Sequence, residues 1–443
     1  MITVAAMPVQ ARGQLKEAGA VAVRKGIRKL ALCMIMLALV LTHSGCWDHQ
    51  EVEHLGIVLS MALDQAPDGK VRLTVQVISP RAMVGGGMAS GGAAGDGTSS
   101  RGFRNSSVEG NTVFECIRLL SLESPRRLYF AHNQTVLISE ELARNRNIAE
   151  VLDVFTRIPE TRRSCWILIS RSDISSVFEL AGELISPSSQ NIINLLEQQE
   201  VSSFYPKIQV GDFMELLETE GADAFAPGIQ VAPNRVEMSN RLAVDFPVDD
   251  ARPKAIGFNF KMGETAVFKG DRLAGWLNER ESRGLLLVRG EVKGGVVNLP
   301  CAGGADYEGY AGYSFDIMHN SSRIEPELTG GELDIRAKIS VQANIAEAKC
   351  QGELDRPDVI ESIERALAAA VRQEVEAALD KAQREYGADV FGFGEAIHRK
   401  YPGIWKEIKD NWWEIYPGLP VYVEVDAKIS RTGQSTKPVR AHQ

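Results

Sequence analysis

The sequence predicts an α+β protein of more than one domain, with mixed β-sheets flanked by helices. Three observations predict it. Segments with an apolar residue at every second position alternate along the chain with segments of helical period, which describes layered α/β structure rather than a bundle or an all-β sandwich. The 398 residues that follow residue 45 exceed what one hydrophobic core normally serves. Near the C-terminus, Val359, Ile363, Leu367, Val371, Val375 and Leu379 recur every four residues, the mark of one long amphipathic helix between Arg356 and Tyr386.

Residues 1–45 read as a signal peptide behind an N-terminal extension. Arg24, Lys25, Arg28 and Lys29 precede an uninterrupted apolar run from Leu30 to Leu41, followed by Ser44-Gly45-Cys46. Positive charge, a short apolar stretch and a small-residue step form the layout of a secretory signal. The run has 12 residues. As a helix it covers about 18 Å of a hydrocarbon core about 30 Å thick, too little for a membrane span. A cysteine directly after the cleavage point can carry a diacylglyceryl group, so Cys46 is the expected lipid-attachment residue. Three positions before it, where a bacterial lipoprotein box carries Leu, Val or Ile, stands His43. Two or more acyl chains of the palmitate type hold a protein stably on a bilayer, whereas one binds marginally.

The body then divides into an N-terminal α/β domain over 46–231 with a break near 172, a linker over 232–253, a C-terminal α+β domain over 254–434 and a tail over 435–443. Leu55–Leu63 and Val71–Ile78 read as strands of a hairpin, with Pro67, Asp68 and Gly69 in its turn. Residues 84–108, rich in Gly, Ala and Ser, read as a loop. Gly110-Asn111-Thr112 caps a helix over Val113–Leu122, and an extended segment follows over Arg127–Ile138. A helix opens at Ser139-Glu140-Glu141 and another lies near Ile148–Phe155, ahead of a strand over Trp166–Ser170. Residues 173–221 are mostly helical, broken at Pro206. Pro233, Pro247, Pro253 and the Asp249-Asp250 pair mark the linker. Ile256–Phe260, Glu264–Phe268, Leu285–Val288 and Val292–Val297 read as strands, with a short helix over Asp271–Asn278 between them. Gly330–Ile345 alternates as strand, and Pro420–Ser430 closes the fold.

Charge narrows the function. The part after residue 45 carries 43 basic against 57 acidic side chains, a formal charge of −14. So acidic a body suits neither nucleic acid nor an electrostatic hold on anionic lipid, and its membrane attachment falls to the anchor. Cys116, Cys165, Cys301 and Cys350 form no Cys-x-x-Cys pair and have no histidine at zinc-finger spacing. Disulfides are possible outside the cytoplasm, and buried free thiols are equally compatible with the helical and strand settings of Cys116 and Cys165. The glycine run Gly85-Gly86-Gly87 lacks the strand, helix and Lys-Ser/Thr step of a phosphate loop. No Gly-x-Ser-x-Gly elbow and no His-Glu-x-x-His motif occurs. His132 beside Asn133 and Gln134 is the best catalytic-looking group and is read as a structural hydrogen-bonding cluster. The sequence therefore points to no catalytic residue, no metal site and no cofactor.

One motif stands apart. In Asp389-Val390-Phe391-Gly392-Phe393-Gly394 the carboxylate is read as pinning a turn whose glycines relieve backbone crowding, while Phe391 and Phe393 enter the core. Trp405, Trp412 and Trp413 follow at near-helical spacing, as a core face or as an aromatic patch toward a partner or membrane.

This segment, with Arg399-Lys400-Tyr401-Pro402, Trp405, Trp412 and Val421-Tyr422-Val423-Glu424-Val425, resembles the C-terminal signature of the Ger(x)C lipoproteins, the germinant-receptor C subunits of endospore-forming bacteria. Gly45-Cys46-Trp47-Asp48, Leu55-Gly56-Ile57-Val58, Val71-Arg72-Leu73-Thr74-Val75-Gln76 and Pro80-Arg81 resemble that family's first block. Glu109-Gly110-Asn111-Thr112, Arg127-Leu128-Tyr129, His132-Asn133-Gln134 and Glu140-Glu141-Leu142-Ala143 resemble its second. The resemblance implies a lipoprotein subunit of a nutrient receptor, tethered on the outer face of the cell or inner spore membrane. It implies assembly with two integral membrane subunits, a part in the germination response and no catalysis. A solute-binding lipoprotein is the alternative; it needs two similar lobes, and the halves of the sequence show no repeat of one another.

Overall fold

The structure is a computed structural model that describes residues 24, 26–36, 54–78, 103–183, 188–233, 258–301, 312–350 and 354–432. The chain separates into two units, Met1–His54 and Leu55–Gln443. In the first, residues 26–36 are helical and carry exposed Leu30, Leu32, Met34, Ile35 and Met36. Cys46 and its flanking residues lie outside the described residues. Among the described residues, no helix is long and apolar enough to cross a membrane.

The second unit is built on two mixed sheets. In the first, β1 (Leu55–Gln65) and β2 (Val71–Ile78) form the expected hairpin, and β3 (Phe103–Gly110) adds antiparallel to β2 as an edge. Residues 103–108 are thus strand rather than loop; residues 79–102 lie outside the described residues. Helix α1 (Val113–Glu123) follows, with Thr112 Oγ1 accepting from Glu115 N–H at 3.1 Å. The predicted extended segment is two strands, β4 (Arg127–Tyr129) and β5 (Thr135–Ser139), both parallel to β1. Ser139 caps α2 (Glu140–Asn145), and α3 (Ile148–Leu152) and α4 (Val154–Arg157) lead to β6 (Trp166–Ser170), parallel to β5. Four helices come next: α5 (Ile174–Glu183), α6 (Ser188–Glu197), α7 (Gln199–Ser202) and α8 (Val210–Glu218). Strands β7 (Phe225–Pro233), β8 (Phe258–Lys269) and β9 (Arg272–Leu277) complete a sheet of order β3-β2-β1-β5-β6-β7-β8-β9, with β4 beside β1. One face packs under α1, α3 and α8 through Leu63, Leu73, Ile138, Ile169 and Phe213; the other packs under α5 and α6 through Leu137, Leu168, Phe178 and Ile192.

Of residues 232–253, read as an interdomain linker, Ala232 and Pro233 end β7 and residues 234–253 lie outside the described residues; β7 and β8 pair directly as neighbours in one sheet. The sheet changes only after Leu277. Here the prediction also exchanged two elements. Arg272–Leu277, read as helix, is β9, and Leu285–Val288, read as strand, sits inside α9 (Glu279–Arg289). Every residue from Ser282 to Val288 is buried, so the helix has no polar face to reveal its period. Its capping box is explicit: Asn278 Oδ1 accepts from Glu281 N–H at 3.0 Å and Glu281 Oε2 accepts from Asn278 N–H at 2.8 Å. The two strands read at 256–260 and 264–268 run together as β8.

The second sheet has the order β10-β11-β12-β13. Strand β10 (Val296–Leu299) begins later than expected, and β11 (Tyr313–Thr329) was not anticipated. It pairs antiparallel with β12 (Glu332–Ala348) across Gly330-Gly331. Both glycines have positive φ, +64° and +94°, which fits the two-residue turn that the twist of a hairpin favours. Helix α10 (Pro357–Leu379) and a π-helical turn (Asp380–Tyr386) fulfil the expected long helix. The chain then returns as β13 (Val421–Arg431), parallel to β12, as a crossover through a helix permits. Ile335, Ile339, Val341, Ala343 and Ile345 of β12 bury against Leu367, Val371 and Val375 of α10. Cys301 and Cys350 are joined in a disulfide, while Cys116 and Cys165 are buried free thiols.

Candidate functional site

The predicted motif residues lie where loops of the first sheet meet the segment between α10 and β13. Asp389 is fully buried. Its Oδ1 accepts from Gly392 N–H at 2.9 Å and Phe393 N–H at 3.0 Å, and its Oδ2 accepts from Gly394 N–H at 2.8 Å. Those amides open α11 (Phe393–Lys400), whose Gly392 sits at φ +78°, so the carboxylate satisfies donors that a helix start leaves without partners. Asp223, from the loop before β7, meets the same peptide. Asp389 N–H donates to Asp223 Oδ2 at 2.7 Å, Asp389 O accepts from Asp223 N–H at 2.9 Å, and Asp223 Oδ1 accepts from Gly270 N–H at 2.8 Å. Residues 166 positions apart thereby hold one another through main chain and side chain together.

No cation takes part in these hydrogen bonds, and burial is the largest influence on both carboxyls, with the Lys269 charge opposing it at Asp223. Removal from water pushes the Asp389 carboxyl up to about 7, against the three amide donors that favour its ionised form; the Asp223 charge adds to the rise. Burial raises Asp223 as well, opposed by the amides of Gly270 and Asp389 and by the Trp413 side chain.

Aromatic rings close the site. Phe391 and Phe393 stack at 5.2 Å, Trp405 and Trp412 meet edge-on at 5.4 Å, and Trp412 lies 5.5 Å from Tyr416. Trp405, on α12 (Pro402–Ile408), and Trp412, on α13 (Trp412–Ile415), are 1% and 4% exposed, so both are core residues. Trp413 is 53% exposed. A Cβ on Gly394 would stand 2.7 Å from the Gly221 backbone and 2.9 Å from Trp412, so only glycine admits this approach. Gly221 O accepts from Glu395 N–H at 3.1 Å and Glu220 accepts from Trp405 Nε1 at 3.4 Å. Trp412 Nε1 and the Tyr416 hydroxyl are buried without a hydrogen-bond partner among the described residues.

Asp389, Phe391, Gly392, Phe393, Gly394, Trp405 and Trp412 are thus brought together; Cys46 lies outside the described residues. Sequence reasoning missed Gly221, Asp223, Gly270 and Tyr416, which no local spacing connects to the motif. It also missed a second buried join. On α9, Arg283 pairs with both carboxylate oxygens of Glu374 on α10, with Nε–Oε2 at 2.7 Å, and donates to Val296 O at 2.8 Å. Gly284 lets α10 in: a Cβ there would stand 2.1 Å from Glu374 O. His132 lies 5.4 Å from Tyr129, ring to ring. Among the described residues no three His, Cys, Asp or Glu side chains converge to hold a metal. The arrangement joins chain segments and presents no nucleophile with a base.

Residues 48–231 match the family described as the spore germination protein N-terminal domain, and residues 263–433 match spore germination B3/GerAC like, C-terminal. Spore germination protein KC of Bacillus subtilis (strain 168) is 30% identical over 426 residues, covering 94% of this chain and 99% of the relative. Spore germination protein B3 of the same organism is 23% identical over 405 residues, covering 90% and 97%. The crystal structure of the GerBC protein shares the fold, with a TM-score of 0.51 and 18% identity over 86% of this chain and 100% of that one. The family is one of germination receptor subunits and is not a known enzyme family. Its two matched regions, in order and along nearly the whole body, place this chain in the Ger(x)C family of spore germination proteins, the germinant-receptor C subunits.

Proposed function

We propose that the chain is a membrane-tethered lipoprotein subunit of a nutrient germinant receptor, anchored by a diacylglyceryl group on Cys46. It acts through contacts with two integral membrane subunits and performs no catalysis. The observation that carries this reading is the order of basic cluster, short apolar run and Ser44-Gly45-Cys46 directly ahead of a germination-family body. Cleavage before Cys46 leaves the body on the outer face of the cell or inner spore membrane. The Asp389 junction then serves as an internal brace between the loops of one sheet and the helices that flank the other. Those helices also set out Trp413, an aromatic available to a partner. The two sheets differ in strand number and order, which supports the receptor subunit over a solute-binding protein built of two like lobes. Intact mass spectrometry of the protein from membranes, beside a Cys46→Ala variant, tests the anchor. A chain beginning at Cys46 with a diacylglyceryl addition, absent from the variant, is the expected result. An unmodified chain that retains residues 24–45 would sink it.

A further inference from the structure

The strand directions gather an unusual set of charges at one edge of the first sheet. Strands β1, β4, β5 and β6 are mutually parallel, so the point where the chain enters β1 at Leu55 shares its edge with the loops that lead into β4 and β6. Leu55 pairs with Arg127, and a Cβ on Gly56 would lie 3.7 Å from Arg126 Cβ. The second loop is joined to the first by Arg127 and Glu160 at 3.3 Å. Residues 123–132 and 157–165 together carry five arginines (Arg126, Arg127, Arg157, Arg162 and Arg163) against Glu123 and Glu160, in a body of net charge −14. Arg157 pairs with Asp153, whereas no ion pair involves Arg126, Arg162 or Arg163 among the described residues. Arg162 and Arg163 are exposed. Helix α1 runs back to this edge and ends there with Leu122, 84% exposed beside the Arg126-Arg127 loop.

We propose that this arginine edge, with Leu122, is a lipid-facing surface that seats the protein on anionic phospholipid headgroups. The proposal rests on the anchor at Cys46 set out above. Leu55 stands nine positions after Cys46, a reach of at most about 32 Å when fully extended. A tether that short keeps the edge carrying Leu55 nearest the bilayer. Charges act on a surface only within a Debye length, about 8–10 Å at physiological salt, so the edge beside the tether is where basic residues are effective. The net charge of −14, expected to deny the body as a whole an electrostatic hold, concerns its mean, and the arginine edge is a local exception. With the acidic remainder repelled by the same surface, the two effects together orient a body that the anchor retains. Guanidinium groups pair well with phosphate oxygens, and a single projecting leucine adds apolar contact at the headgroup boundary.

The test uses the full acylated chain on vesicles of phosphatidylcholine alone or mixed with phosphatidylglycerol. Hydrogen exchange is followed over 123–132 and 157–165, together with quenching by lipid-borne nitroxide of a fluorophore on Leu122→Cys. Protection and quenching are expected on the anionic vesicles only. Both should fall with added salt and in an Arg126→Gln/Arg162→Gln/Arg163→Gln variant whose thermal unfolding matches the parent. Co-sedimentation of the Cys46→Ala chain with and without the three substitutions, both retaining residues 24–45, isolates the arginine edge from the acyl tether, and the substitutions should weaken that binding roughly tenfold or more. Equal exchange on neutral and anionic vesicles with Cys46 acylated overturns the surface and leaves the anchor standing. Protection that arises only when integral membrane subunits are added also overturns it, by making the edge a protein contact. An unmodified Cys46 removes the anchor, while salt-sensitive binding to phosphatidylglycerol vesicles that the three substitutions weaken would still uphold the arginine edge.

Discussion

The Asp389 junction and the Arg283–Glu374 join both bury carboxylates, and they solve the electrostatic problem in opposite ways. Glu374 is paired with a guanidinium that also donates to Val296 O, so charge meets charge within the second core. Asp389 has only amide donors, while Asp223 adds the Trp413 side chain and the more distant charge of Lys269; the Asp223 charge raises Asp389, and the Asp389 amide lowers Asp223. A buried ion pair is intolerant of losing one partner, because the other is left as an uncompensated charge. A buried acid held by amides tolerates neutralisation and so responds to pH near 7. One join therefore depends on keeping both partners, and the other carries a proton-dependent term where loops of the first sheet meet the segment that closes the second.

The largest test of this contrast removes one partner of the ion pair. Glu374→Ala strands Arg283 without a counter-charge and should cost about 3–5 kcal/mol in denaturant unfolding, with much of the loss recovered in an Arg283→Met/Glu374→Leu double variant. If the single variant unfolds like the parent, the pair carries no such weight. Gly394→Ala forces a methyl against the Gly221 backbone and should cost about 2–3 kcal/mol, measured as a lowered Tm.

A third variant probes the Asp389 junction by pH. The folded pKa of Asp389 is raised from its ordinary value near 4 to about 7, so between those limits the native state holds more protons than the unfolded one. Stability from this group is fully present below about pH 4, falls as pH rises and levels off above about 7. Asp389→Asn turns an amide toward a main-chain donor and should cost about 1–3 kcal/mol at pH 5. It should also flatten the decline between pH 5 and 8, with the gap to the parent narrowing at the upper end. An unchanged pH slope would show that Asp389 does not titrate in this window. Least of all, Tyr416→Phe removes a buried hydroxyl that has no partner among the described residues, and should be neutral or stabilising by up to about 1 kcal/mol.

Legibility in the sequence followed burial. Trp166–Ser170 and the β1–β2 hairpin were readable because apolar runs or alternation end at turn residues, and α10 because its outer face stays charged. Helix α9 was not, because its Leu-Leu-Leu-Val run is buried all round and periodicity has nothing polar to register. Asn278 and Glu281 held the missed signal. Within the junction, the run from Asp389 to Gly394 was legible because its bonds are local, three to five residues along the chain. Asp223 was not, since its bond to Asp389 spans 166 residues and leaves no spacing to find.

By itself the sequence determined the mixed α/β class, the long C-terminal helix, the turn at Asp389 and the family, because each depends on periodicity or on residues close together in the chain. Tertiary structure alone decided that β7 and β8 pair, that Asp223 and Arg283 find their partners, that Cys301 joins Cys350, and that two arginine loops share an edge with Leu55. Those outcomes depend on which strands lie side by side. Strand order is set by the packing of whole faces, a cooperative property that no short segment of the chain records.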